Sequence, residues 1–187
     1  MKKIYIVLTH TGTNLSKIIK YYTKNEFSHV SIALDKELKQ MYSFGRLNPY
    51  NPFWAGFVHE EINKGTFKRF EKTLAQIYSL DVTENQYKII SNQINKIQKN
   101  SKMYKFNILG LIAVALNKKI HFKHSFYCAE FVKYLLEKSG IETNLPEIIK
   151  PEDFKKLKGV KKQYMGELRK YKLDELRALR KMKVISA

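Results

Sequence analysis

Cysteine is almost missing from this chain: Cys128 is the single one in 187 residues. No disulfide can form within the chain, which excludes a secreted disulfide-stapled scaffold. Glycine and proline are also scarce, 8 and 4, which excludes collagen-like and low-complexity linker proteins. The longest apolar run, residues 108–116, is far short of the ~20 residues of a membrane span. The apolar stretch behind Met1, Lys2 and Lys3 stops at Leu8, short of the ~7–15 residues of a signal-peptide core. These absences predict a soluble, cytoplasmic protein. Acidic residues are few as well, 17 against 35 Lys plus Arg, for a formal charge of +18. Such a balance attracts polyanions such as nucleic acid or anionic lipid, and it says nothing about fold.

What is present is apolar and aromatic. Hydrophobic residues make up 44% of the chain and aromatics 13%, too much for a disordered polymer. The length suits one principal domain. Alternation and β-branched residues predict strands over 3–9, 27–34, 41–46, 57–62, 66–70 and 76–82, with a turn at Asp35 to Glu37 and a loop over 48–52. Asn14 can cap a short helix to Tyr22. The second half changes period. Thr83 and Gln86 match a capping box ahead of Tyr87, Ile90, Ile94 and Ile97 at helical spacing. Residues 107–116 are apolar all round and read as a buried helix. Ser125 can cap a further helix ending near Gly140, and Pro151 opens a short segment to Leu157. Strands followed by helices predict an α+β domain.

Cys128 falls at the third position of the helix expected after Ser125. A helix N-terminus carries partial positive charge, which favours a thiolate, and its free N–H groups can hold an oxyanion. A cysteine nucleophile needs a base, most often histidine, oriented by a third polar group. Cys128 also shares a face with Phe131, Val132 and Leu135, the pattern of an ordinary core cysteine. His29 lies mid-strand, opposite the Val30, Ile32 and Leu34 face, where a side chain either meets solvent or lines a site. His59 also lies in a strand, and His10 reads as a loop residue. His121 and His124 precede Cys128, yet one thiol and two loop histidines do not match a closed zinc site. No metal and no cofactor are expected.

Three segments form an ordered series: FSHVSIAL from Phe27 to Leu34, MYSFGR from Met41 to Arg46, and FYCAEFV from Phe126 to Val132. With KSGI from Lys138 to Ile141 and PEDF from Pro151 to Phe154, the series resembles the circularly permuted branch of the NlpC-type papain-like cysteine amidases, the YaeF/YiiX-like group. There the strand histidine precedes the cysteine, reversing the papain order. The resemblance spans about residues 1–158. It implies a permuted papain-like fold: a small antiparallel sheet or partial barrel packed against helices, with the nucleophile at a helix N-terminus. It further implies Cys128 as nucleophile and His29 as general base. The third residue of the family is often Glu on the strand after the histidine. Hairpin position puts Ser43 there, a departure, with Glu60 or Glu61 as alternatives from the next strand. Tyr127 could shape the oxyanion region, and Arg46 and Trp54 could line a substrate cleft.

The activity implied is thiol-dependent acyl transfer on an amide or ester, an amidase or hydrolase acting on a peptide of the cell-wall type. Two other readings stay open: a lipid acyltransferase, and a non-catalytic protein that binds nucleic acid or anionic membrane on a papain-like core. The last 33 residues, from Lys155, carry 12 Lys plus Arg against 3 Asp plus Glu, so +9 of the +18. Residues 159–187 therefore read as a basic, helical extension that could meet an anionic membrane or nucleic acid, or could be merely solvated. No specific protein partner is implied.

Overall fold

The computed structural model describes residues 1–12 and 26–171. The helix expected over 14–22 lies outside the described residues, as does the tail beyond Tyr171. The frame is a six-stranded sheet in the order β4-β3-β2-β1-β5-β8. Its strands are β1 (Lys2–His10), β2 (His29–Ala33), β3 (Met41–Asn48), β4 (Asn51–Glu60), β5 (Leu74–Val82) and β8 (Lys161–Glu167). Every neighbouring pair is antiparallel. Two short strands, β6 (Lys105–Phe106) and β7 (Ser125–Phe126), form a separate parallel ladder. The architecture is α+β, as the change of period predicts.

Alternation decides which face each strand residue serves. Ile4, Ile6 and Leu8 of β1, Val30 and Ile32 of β2, and Tyr42 and Phe44 of β3 face one cluster. There they meet Ile90, Ile94 and Ile97 of α2 (Glu84–Lys99) and Phe131, Val132 and Leu135 of α4 (Cys128–Lys138). Phe44, Phe57, Phe126 and Phe131 form an aromatic box beneath α4, with centroids 5.2–6.4 Å apart. Such edge and tilted pairs contribute about 0.5–1.5 kcal/mol each beyond area burial. Tyr5, Val7, Met41 and Ile77 face a smaller cluster on the other side, closed by Phe67 of α1 (Gly65–Arg69) and by Leu168 and Tyr171.

Local signals explain several boundaries. Asp35 turns the β2–β3 hairpin by accepting the amides of Lys39 and Gln40. Both halves of the Thr83/Gln86 capping box are formed at the start of α2. Gly140, at φ +77°, ends α4. Four expectations need correction. Residues 66–70 are not a strand: Gly65, at φ +51°, opens the single-turn helix α1, which buries only Phe67. The cap of α4 is Tyr127, not Ser125, which lies in β7, so Cys128 is the first helical residue rather than the third. The helix of the apolar run, α3 (Ile108–Ala115), is not buried all round. Finally, residues 161–167 are not part of a helical extension. They form the edge strand β8 on β5, so a boundary at 158 separates no structural units.

Candidate active site

Two elements far apart in sequence bring His29 and Cys128 together. His29 is the first residue of β2, so its ring stands at the end of a strand. Cys128 is the first residue of α4, which packs on β2 and β3. The side chain of Cys128 is buried against the larger cluster, near enough to the imidazole to act on its protonation. The ring is held by Glu60, at the end of β4: its Oε1 lies 2.9 Å from His29 Nε2. Ser31, two residues along β2, donates its hydroxyl to Glu60 Oε2 and lies 3.3 Å from the same ring nitrogen. Both carboxylate oxygens are thus engaged, which fixes the carboxylate against the ring.

Strand register alone does not bring Glu60 to the ring: Glu60 pairs with Met41, level with Ala33, and its side chain reaches His29 along the face that it shares with Ser31. The β2–β3 pairs Ile32–Tyr42 and Ala33–Met41, carried back along the strands, bring Gly45 level with His29. A Cβ on Gly45 would lie 3.2 Å from His29 Cε1 and 3.6 Å from Glu60 Oε1. The missing side chain therefore makes room for the imidazole–carboxylate pair. Ser43 is fully buried and donates to the carbonyl of Val30, 2.8 Å away. Glu61 sits outside the cluster, paired with Lys64 at 3.0 Å.

The electrostatics follow from the geometry. Burial by itself lowers the pKa of a histidine, because it disfavours the cation. Here the charge of Glu60 and the hydrogen bonds of Cys128 and Glu60 outweigh burial, and the His29 pKa is pushed up to about 10. The imidazole therefore takes up and holds a proton readily, beside the Glu60 carboxylate. The thiol in turn sits in the first turn of an eleven-residue helix, beside the backbone N–H groups of that turn.

The first turn of α4 is braced from several sides. Glu130 accepts the Tyr127 amide at 3.1 Å and Asn107 Nδ2 at 3.2 Å, while His121 Nδ1 is 3.7 Å from its other oxygen. Burial pushes the Glu130 pKa up against these bonds. The Tyr127 hydroxyl donates to the carbonyl of Ile149 at 3.0 Å. Burial, with Glu130 nearby, raises its pKa, so the phenol stays protonated. Both of the donors of Tyr127 are thus spent on structure. The amides of Cys128 and Ala129 remain first-turn groups of the kind that lack an intrahelical acceptor.

A segment with no chemistry of its own ties the two halves together. Glu152 accepts the Phe27 amide at 2.9 Å just ahead of β2, and its other oxygen holds Lys155 at 2.6 Å. Sequence reading pointed to this segment through Pro151 as a helix opener and through the resemblance, but gave no sign of its tie to Phe27. It missed Ser31 as the partner of the carboxylate, although the period-2 pattern already put Ser31 on the face of His29. It also missed Thr9 of β1, which pairs with His29 and whose buried hydroxyl has no hydrogen-bond partner among the described residues.

The remaining candidates stand elsewhere. Arg46 lies over the Phe70 ring at 5.8 Å, and burial together with Arg69 holds its pKa below the ordinary arginine value. Trp54, on β4, is 60% exposed. His59 binds the carbonyl of Lys39 at 2.7 Å and stacks on Tyr42. His124 packs edge-on against Tyr104. Among the described residues, no group of three or more His, Cys, Asp or Glu is arranged to hold a metal ion. No family model matches the chain, and a search of curated proteins finds no match.

Proposed function

We propose that this protein is a thiol-dependent acyl-transfer enzyme of the amidase or hydrolase type, with Cys128 as nucleophile, His29 as base and Glu60 as orienting carboxylate. The observation that carries the reading is the imidazole held by the Glu60 carboxylate at 2.9 Å, with the buried thiol at the start of α4 near enough to act on its protonation. The order of histidine before cysteine, on a strand and a helix of an α+β frame, agrees with the permuted papain-like group that the sequence resembles.

The chemistry runs in balanced steps. The thiol proton rests on His29, and the sulfur attacks the carbonyl carbon of an amide or ester. The π electrons move to oxygen, where first-turn N–H groups of α4 offer hydrogen bonds. Collapse of the adduct expels the amine or alkoxide, which takes the proton from the imidazolium. Water then gives a proton to His29 and attacks the thioester, releasing the acid and restoring the thiol. Glu60 stabilises the imidazolium throughout, and Ser31 holds the carboxylate.

Alkylation by iodoacetamide tests this without knowledge of the substrate. The native protein should be labelled at Cys128 rapidly near neutral pH, and His29→Ala should slow labelling by about tenfold or more. Labelling that requires denaturation, or that ignores His29, sinks the proposal. Trapping of an acyl-enzyme with peptide amides and with phospholipids then separates an amidase from a lipid acyltransferase.

A further inference from the structure

The helix α3 leaves on the surface what composition would have buried. Ile108, Leu109, Ile112 and Leu116 are 40%, 53%, 54% and 64% exposed. Their spacing of three and four residues puts them on one stripe, while Gly110, Ala113 and Val114 turn inward. Phe122, 47% exposed, continues the apolar surface in the loop that follows. Lys102 and Lys105 stand before the helix, and Lys118, Lys119 and Lys123 after it, all exposed. Between Ser101 and Ala129 the chain has no Asp or Glu. Among the described residues nothing covers the stripe.

We propose that α3 and the loop behind it dock onto an anionic lipid bilayer, with the stripe in the acyl boundary and the lysines on the head groups. The shape fits a helix lying in the interface: eight residues rise about 12 Å, against about 30 Å of hydrocarbon. The charge fits anionic lipid, because five lysines rim the stripe and one of them, Lys119, has a carboxylate partner, Glu147 at 2.6 Å. A second copy of the same chain would bring two lysine rims together, which costs repulsion. Nucleic acid would accept the lysines and leave the apolar stripe against water or phosphate. Docking would also orient the candidate site. The α3 cap residue Asn107 donates its amide to the carbonyl of Phe126 at 2.9 Å, so α3 starts beside the strand that leads into Cys128. The surface stands whether or not Cys128 is a nucleophile.

Vesicle co-sedimentation of the full chain is the test, with phosphatidylcholine alone and with added phosphatidylglycerol. The protein should partition onto the anionic vesicles. The combined Leu109→Ser, Ile112→Ser and Leu116→Ser variant should lose about tenfold or more in partition. Lys118→Gln with Lys123→Gln should lose less, and added salt should mimic it. Because the three apolar side chains are more than half exposed, circular dichroism of the serine variant should match the wild type. A tryptophan placed by Ile112→Trp in a Trp54→Phe background should shift its emission to the blue on anionic vesicles. No partition, equal partition onto neutral vesicles, or partition that survives the serine substitutions overturns the proposal. So does self-association without lipid that the same substitutions abolish.

Discussion

Two helices flank the same short parallel ladder and use their apolar residues in opposite ways. The helix α4, which follows β7, buries Phe131, Val132, Leu135 and Leu136 completely and has its first turn fixed by Glu130, Asn107 and Tyr127. The helix α3, which follows β6, is richer in apolar residues and leaves Ile108, Leu109 and Ile112 exposed on the surface. The difference teaches that hydrophobicity does not by itself assign a helix to the core. What decides is whether polar residues interrupt the pattern. In α4 they do, and the apolar stripe is the buried side. In α3 they do not, and the exposed side is apolar because it lacks polar residues, which is a property that invites an apolar medium.

The contrast can be broken by mutation. Phe131→Ala removes a ring from the aromatic box under α4 and should cost about 3–5 kcal/mol in unfolding free energy, measured by urea denaturation. A loss below about 1 kcal/mol would mean that the box repacks freely. Next in size is Glu60→Gln, which removes the charge facing His29 and should cost about 2–3 kcal/mol at neutral pH. Its signature is the pH dependence. The folded pKa of His29 lies above its ordinary value of 6.5, at about 10. The stabilisation is therefore complete below pH 6.5 and is lost as pH rises through 10. The variant should flatten that decline, and denaturation across this range checks it.

The smaller effects fall on the α3 side. Asn107 caps α3 by accepting the Gly110 amide at 2.8 Å, and its Nδ2 also binds Ile120 and Glu130. Asn107→Ala should cost about 1–2 kcal/mol, read from the same denaturation curves, and should slow Cys128 alkylation through the loosened Glu130 brace. Leu116→Ser should change stability by less than about 0.5 kcal/mol. If Leu116→Ser cost as much as Phe131→Ala, the two helices would not differ in the way described.

Much of the sheet was legible because alternation is a physical requirement of a strand with buried faces. The runs around Ile4 to Leu8, Val30 to Ile32 and Ile77 to Leu80 could hardly do anything else. The Thr83/Gln86 box was legible because its two hydrogen bonds are local. What failed was what depends on distant neighbours. The strand β8 has almost no apolar alternation, since only one of its sides meets a partner strand and its first three residues are exposed. Residues 66–70 alternate like a strand, yet their one buried ring, Phe67, is served by a single helical turn. In the candidate site, His29 and Cys128 could be named in advance, but the choice among Ser43, Glu60 and Glu61 could not. It turns on how far a side chain of β4 reaches along a face shared with β2, which is a relation between strands rather than a property of either.

That the sheet closes with β8 has a consequence for the chain as it is made. The strand β5 pairs with β1 on one side and presents its other side until residues 161–167 arrive. A ribosome that has released the whole site, from His29 to Cys128, still leaves this edge open, bare backbone groups flanking a nearly continuous buried run. Such an edge recruits strands from other molecules. Lys161 and Lys162 head the strand that covers it, and once in place they become the lysine-marked border of the finished sheet. Truncation ahead of Lys161 would therefore show itself first as aggregation, before any loss of the groups around Cys128 could be measured.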